Sequence, residues 1–453
     1  MVSKQTDVLI IGAGIVGIAT AYYLKKISAE TTVILIDQGQ PMAFTSAQSG
    51  ENYRNWWPHP TMKSFTEHSI SLMEDIANES DQRINMTRRG YALATREDDI
   101  SELIAELNSS YVDDSEQQVR IHLNQNSGSY QPALTEDWRD APEGVDVLQN
   151  TGMIKKYFPN FSSDIKNIIH IRNAGMLDSQ QLGAFMLESF REAGGKRLIG
   201  TVTEINKAEN FKVKIDGDIR SISVNKIINA AGPFVADIAK LLDIELPVFN
   251  QLQQKIAFPD SENVIPRIQP FSIDLDPQII DWEADEIELM EADEEYSWLT
   301  KQLPSGMHSR PEGGDHGNWL KLGWAFNEFP VEASFEPILD DFYPEIVLRG
   351  AARLNPALKA YYGKLPRKTL HYGGYYTMTE ENWPLIGKTA VEGFYINGAM
   401  SGFGTMAACA GGELCAQWVT EQALPSYADD LSLDRYKDQE LIKQLQSLDS
   451  GKL

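Results

Sequence analysis

Asp7-Val8-Leu9-Ile10-Ile11-Gly12-Ala13-Gly14-Ile15-Val16-Gly17-Ile18-Ala19-Thr20-Ala21-Tyr22-Tyr23-Leu24 reads as a buried strand, a glycine-rich turn and a helix. In that spacing Gly12 permits the tight turn, Gly14 lets the backbone approach a pyrophosphate, and Gly17 lets the helix pack closely on the sheet. The helix N-terminus, with Ile15 and Val16 in its first turn, then faces the anion. Twenty residues after Gly17, Asp37 closes a second apolar strand, Thr32-Val33-Ile34-Leu35-Ile36, with Gln38 beside it. A carboxylate at that place can accept hydrogen bonds from an adenosine ribose. Strand, turn, helix, strand and terminal acid in one unit define a dinucleotide site, which a plain glycine-rich turn would not explain.

Working outward, 453 residues leave room for two or three domain-sized units, and 42% apolar with 9% aromatic residues supplies a globular core. The formal charge of −25 makes nucleic acid a poor partner, because phosphate binding needs the opposite sign. No apolar run other than the glycine-rich segment approaches membrane length, and no basic region with a cleavage site precedes it, so a cytoplasmic protein is expected. Cys409 and Cys415 lie on what reads as one helix, a rise of ~9 Å, too far for a disulfide. Two buried thiols fit a reducing compartment. No metal site is expected.

Along the chain, Met42 to Pro60 is irregular, and a connection of that length usually serves a site. Ser64 to Glu79 has helical spacing and Arg89 to Thr95 reads as a strand. Glu97 to Asn150 is polar and acidic, with one helix from Asp99 to Leu107, and reads as an excursion into a second domain. Gly175-Met176-Leu177-Asp178 and a helix from Gln180 to Ala193 return to the first domain. A strand around Val202 follows, and Lys226-Ile227-Ile228-Asn229-Ala230-Ala231-Gly232-Pro233 is a further strand ending in small residues. Residues 395 to 422 read as strand, glycine turn and a long helix opening near Thr405.

These pieces, in this order, resemble the D-amino-acid oxidase and sarcosine oxidase family of flavoproteins. The family's run is GxGxxG, G-x-L-D, N-A-A-G-P, Y-T-x-T-x-x-x-x-P-x-I-G and S-G-x-G. The last two stand here as Tyr376-Thr377-Met378-Thr379-Glu380-Glu381-Asn382-Trp383-Pro384-Leu385-Ile386-Gly387 and Ser401-Gly402-Phe403-Gly404. The resemblance covers nearly the whole chain and is weakest over Glu97 to Asn150 and Asp260 to Tyr296, two acidic stretches that read as insertions. It implies an α/β fold: a Rossmann-like FAD-binding domain of glutathione-reductase type, interleaved with an α+β substrate domain on a mostly antiparallel sheet. On that reading residues 1–90, 150–240 and 365–453 form the FAD-binding domain, and 91–149 with 241–364 the substrate domain.

The resemblance also implies FAD rather than a nicotinamide dinucleotide, with the helix near Thr405 directing its N-terminal dipole at the flavin's pyrimidine end. Carried over residue by residue, Gly12, Gly14, Ile15, Val16 and Gly17 hold the pyrophosphate, Asp37 and Gln38 the ribose, and Val202 flanks the adenine. Ser46, Ala47, Ser49 and Gly50 line the isoalloxazine side, Ala230, Ala231 and Gly232 close over the dinucleotide, and Gly402, Phe403, Gly404, Thr405 and Met406 meet the ring. The cysteine that carries the flavin covalently in the sarcosine oxidase branch is Gly374 here, and no histidine lies between Thr45 and Arg54. Non-covalent FAD is therefore expected.

Trp319-Leu320-Lys321-Leu322-Gly323-Trp324 resembles the family strand whose lysine assists reaction of reduced flavin with oxygen, which makes Lys321 the main catalytic candidate. A cation there would stabilise developing superoxide or peroxide. A surface lysine on an edge strand is the plainer reading of the same residue. Two cationic positions that bind the substrate carboxylate in the family correspond to Trp57 and Met406, its activating histidine to Ala325, and the oxidases' carboxylate-gripping arginine to Tyr376. Arg54, Arg310 and Arg353 stand as replacements, or as structural ion pairs. Trp57, Trp324, Tyr375, Tyr376 and Phe403 are expected to form an aromatic wall without a cation, suited to an apolar or cationic group. The expected activity is oxidation of the C–N bond of an amine or amino acid to an imine, with oxygen as acceptor. Two alternatives stand beside it. One is a dehydrogenase for 2-hydroxy or amino acids passing electrons to a redox partner, for which His308 and His371 are the histidines near matched motifs. The other is a flavin-binding subunit without turnover.

Overall fold

The computed structural model describes residues 5–111, 118–124, 130–135, 137–139, 141–216 and 221–447. The acidic excursion from Glu97 to Asn150 lies partly outside them. Two large sheets organise the chain. The first has the spatial order Val202–Lys207, Phe211–Ile215, Ser221–Asn229, Gln5–Ile11, Val33–Asp37, Lys196–Ile199. Its central pairs are parallel, and Phe394–Gly398 joins Ser221–Asn229 in parallel while Leu385–Lys388 pairs antiparallel with it. Parallel strands covered on both faces read as continuous apolar runs, and Val8–Ile11 and Val33–Ile36 do so with every residue buried.

Helices Ile15–Ile27 and Gly404–Thr420 pack against each other over this sheet. Their approach depends on small residues: a Cβ on Gly412 would come within 2.7 Å of the Ala19 backbone. Asn397 ties the layer together, its amide donating to Thr20 Oγ1 at 2.9 Å and to the Gly411 carbonyl at 3.0 Å. Cys409 and Cys415 are both buried and free.

The second sheet has nine strands in the order Leu370–Met378, Phe249–Pro259, Trp319–Gly323, Met307–Glu312, Phe271–Asp274, Tyr91–Thr95, Asn167–Ile171, Val145–Leu148, Val119–His122. All its pairs are antiparallel except Phe271–Asp274 with Tyr91–Thr95 and Val119–His122 with Val145–Leu148. Alternation divides its first four strands: Ile256, Phe258, Leu320 and Leu322 pack under helix Tyr343–Leu354, while Gln251, Gln253, Lys255, Lys321 and Arg310 stand on the opposite face.

Two strands lie in a different sheet from the one expected. Asn167–Ile171 and Leu370–Met378, both assigned to FAD-binding segments, are strands of the second sheet. The former is buried at every position, so its pattern does not reveal its partner. Nor is the acidic stretch Asp260 to Tyr296 an appended insertion throughout: Phe271–Asp274 is an interior strand of the second sheet. Among the described residues no helix is long and apolar enough to cross a membrane.

Candidate active site

Where the two sheets meet lies a cavity of about 1000 Å³. That is the upper end of the size range for ligand sites, enough for an extended dinucleotide. Its lining begins at the first glycine turn. Gly12 has φ +108°, and a Cβ there would stand 2.2 Å from the Ala230 carbonyl oxygen. A Cβ on Gly17 would meet the Gly12 carbonyl oxygen at 1.9 Å, so Gly17 serves helix packing and does not itself line the cavity. Gly14 has only Ser46 Oγ near its missing side chain, at 3.1 Å, and opens onto the cavity.

Asp37 closes its strand as expected and orders the turn: its carboxylate accepts from the Ala13 amide and from the Gly39 amide, each at 2.7 Å. Ser46 Oγ accepts from the Ile15 amide at 3.0 Å. Neither helix Ile15–Ile27 nor helix Gly404–Thr420 carries an acidic residue in its first turn, which leaves both N-termini electropositive toward the cavity. Ser49 and Thr405 join the two regions through a 2.8 Å hydroxyl pair. Thr45 and Ser401 each bury a hydroxyl oxygen without a partner in the lining. Buried hydroxyls without partners are costly unless a ligand meets them. With the glycine cradle, two helix N-termini and these hydroxyls, the residues fit FAD.

Of the cofactor residues expected, Gly12, Gly14, Ile15, Val16, Asp37, Gln38, Ser46, Ser49, Gly50, Val202, Ala230, Ala231, Gly232, Gly402, Gly404 and Thr405 line the cavity. Ala47, Phe403 and Met406 do not. Phe403 packs edge-on against Trp57 with ring centroids 4.8 Å apart, and Met406 Sδ accepts from the Arg54 amide at 3.2 Å. Both point from the turn into the helical layer.

The aromatic wall is also composed differently from expectation. Tyr375 and Tyr376 line the cavity, but Trp57 is buried behind Phe403, and Trp324 belongs to the core under helix Tyr343–Leu354. Trp324 is three residues past Lys321 and so follows Leu320 and Leu322 onto the other face. The rings that do accompany Tyr375 are Phe44, Phe234 and Phe335, with centroid separations of 4.6 to 5.9 Å.

Arg54, Arg310 and Arg353 are all outside the lining. Arg54 lies over Trp57, 4.6 Å from its ring centroid. Arg353 donates to the carbonyls of Asp276 and Pro277. Arg310 is buried beneath the site, donating to the Gly50 carbonyl at 2.9 Å and pairing with Glu312 at 2.7 Å. Lys321 shares that cluster: its Nζ is 2.9 Å from Glu312 and 3.4 Å from Glu51. Burial and the Arg310 charge lower the Lys321 pKa, with the two carboxylates opposing them. Glu312 is held below its ordinary value, because Arg310 and Lys321 outweigh the effect of burial.

Sequence reasoning missed Lys255, among the described residues the one cation that lines the cavity. Its strand offered a signal, since Gln251, Gln253 and Lys255 place polar groups at every second position. Lys255 Nζ lies 3.5 Å from Tyr376 Oη and 5.4 Å from that ring's centroid. Among the described residues no histidine lines the cavity. His308 is kept neutral, burial and the nearby Lys255 charge pushing its pKa down to about 3, and His371 is engaged with Gln254 at 2.8 Å.

A two-sheet chain with a glycine-cradled dinucleotide cavity at the sheet junction is, by fold and site, a flavin-binding oxidoreductase of the interleaved two-domain kind. Residues 7–418 match the family described as FAD dependent oxidoreductase (DAO), and the chain belongs to it. The uncharacterized oxidoreductase YurR of Bacillus subtilis (strain 168) is 24% identical over 258 residues, 55% of this chain and 61% of that protein. The match thus spans less than two thirds of that relative. Among solved structures, L-proline dehydrogenase from P. horikoshii superposes with a TM-score of 0.71 at 16% identity, covering 96% of this chain and 99% of that one. Glycine oxidase from Geobacillus kaustophilus gives 0.70 at 15% identity with the same coverages, 96% and 99%. At these identities the likeness is one of fold.

Proposed function

We propose that the protein oxidises the C–N bond of an amine or amino acid to an imine, with non-covalently held FAD. When bound, FAD takes up the hydride from the carbon next to nitrogen. The nitrogen lone pair becomes the C=N bond, the nitrogen proton passes to solvent, and water hydrolyses the imine. This chain's part is placement. Gly12 to Ile15 and the Gly404 helix hold the anionic portions, Phe44, Phe234, Phe335 and Tyr375 exclude water, and Tyr376 meets the substrate.

The observation that carries this reading is that, among the described residues, none that lines the cavity is placed as a free base. Their charged members are Asp37, engaged with the glycine turn, Asp237, exposed beside Lys240, and Lys255. A neutral amine needs no protein base to lose hydride, whereas a 2-hydroxy acid must lose its hydroxyl proton to one. Arg54, expected as a catalytic residue and a replacement carboxylate anchor, stands outside the lining over Trp57 and is given no part in this reading.

Oxygen is proposed as acceptor, with Lys321 stabilising the charge that develops on it. One observation favours a second reading, transfer to another acceptor: Glu312 and Glu51 compensate the Lys321 charge. The test is anaerobic mixing of the yellow protein with amines, amino acids and 2-hydroxy acids, followed by oxygen. Bleaching by a nitrogen compound and prompt recolouring in air are expected; bleaching only by a hydroxy acid would refute C–N oxidation. Because Gly374 replaces the attachment cysteine, acid precipitation is expected to release the colour into the supernatant. Colour retained in the pellet would show a covalent bond.

A further inference from the structure

The cavity's charge balance singles out one residue that the family resemblance does not. Lys255 is buried, lines the cavity, and among the described residues has no carboxylate within ion-pair reach. Its contacts are the Tyr376 hydroxyl at 3.5 Å and, on the other side, Gly50, whose missing Cβ would stand 3.8 Å from Lys255 Cε. Across the sheet its neighbours are Tyr372, Gly323 and then His308, none of them anionic. A buried ammonium with a single weak neutral partner is costly, and a protein keeps such a group where an anion will meet it. The Tyr376 hydroxyl adds a second donor beside the ammonium, two donors for two carboxylate oxygens. The positions that would supply this charge by family resemblance carry Trp57, Met406 and Tyr376 instead.

We propose that Lys255 is the specificity-determining cation of this site, receiving with Tyr376 the carboxylate of an amino-acid substrate. The proposal rests on the C–N oxidation reading and narrows it from amines at large to amines that bear a carboxylate. It replaces the expectation of a cation-free aromatic pocket.

Binding of an inert carboxylate tests it without turnover, so its failure is distinguishable from failure of the C–N reading. Oxidised holoenzyme is titrated with butyrate and with the neutral, isosteric butyramide, following the flavin absorbance and the heat of binding. Wild type should prefer butyrate, and Lys255→Met should weaken butyrate by about 10- to 100-fold, the worth of a charged hydrogen bond. Butyramide should be unaffected, and Lys255→Arg should recover most of the loss. Equal butyrate affinity in wild type and Lys255→Met would overturn the proposal. So would slower reoxidation by oxygen with butyrate affinity intact, which would assign the charge to the acceptor, or loss of FAD with the butyrate preference intact, which would assign it to the cofactor. Should Lys255→Met not fold, the wild-type preference decides, and no preference for butyrate over butyramide overturns the proposal.

Discussion

Lys255 and Lys321 stand on the same face of one sheet, in adjacent strands, with Lys255 opposite Gly323 and Lys321 opposite Ala257. Lys321 carries the family-like motif, yet it sits behind the lining in a cluster with Arg310, Glu51 and Glu312, where two positive charges face two negative ones. Lys255 has no motif to announce it, yet among the described residues it alone brings an uncompensated positive charge to the cavity surface. The field a lysine exerts on a ligand is set by its neighbours as much as by its place in a motif, because a carboxylate at 2.9 Å cancels most of that field a few ångströms away.

The difference has consequences for stability, and the largest falls on the compensated lysine. Lys321→Met leaves Glu312 and Glu51 with one cation instead of two, and breaking a buried pair from one side costs about 3–5 kcal/mol. The low end is expected, since Glu312 keeps 25% of its side chain exposed. Lys255→Met removes a charge that among the described residues has no carboxylate partner to orphan, and it should leave the denaturation midpoint of the apoprotein unchanged or higher. Equal losses in a denaturant titration of the two variants would erase the contrast.

A smaller effect is expected from acid. The Glu312 carboxyl is held below its ordinary value near 4.5. Its contribution to stability is therefore complete above that pH and is lost as pH falls through the depressed folded-state value. Glu312→Gln should flatten this part of the stability curve while Lys255→Met leaves it as it is. A curve unchanged by Glu312→Gln would remove the cluster from the account. The smallest effect concerns the second donor: Tyr376→Phe should weaken butyrate binding several-fold, the worth of about 1 kcal/mol for one hydrogen bond. If it matched the loss in Lys255→Met, the hydroxyl and not the ammonium would be the principal anchor.

How far the sequence carried the account follows from how local each signal is. The Gly12 to Gly17 turn and Asp37 were legible because strand, turn and helix are adjacent in the chain and each glycine has one steric reason. The helix Gly404–Thr420 was legible for the same reason. Lys255 was not, because its place depends on pairing with Trp319–Gly323 and Leu370–Met378, which are distant in sequence. Trp324 was misplaced although the alternation was readable: Leu320 and Leu322 already marked the face it shares. Phe335 gave no signal, since it comes from an irregular connection held by the Ser334 amide donating to Tyr375 Oη at 2.9 Å. Asn167–Ile171 shows the remaining limit, as a strand buried on both faces does not say which sheet it enters.

The contrast between the lysines is tested most directly by rapid mixing of wild type, Lys255→Met and Lys321→Met, with flavin reduction and reoxidation followed separately. A crossed pattern is expected. Lys255→Met should raise the amino-acid concentration needed for half-maximal reduction by about 10- to 100-fold and leave reoxidation by oxygen alone. Lys321→Met should leave reduction alone and slow reoxidation by less than the roughly 10²–10³ that removing an uncompensated stabiliser costs, because Glu312 and Glu51 already offset its charge. Reoxidation unchanged in Lys321→Met would favour another acceptor, and both variants altering the same half-reaction would contradict the division of labour between the two lysines.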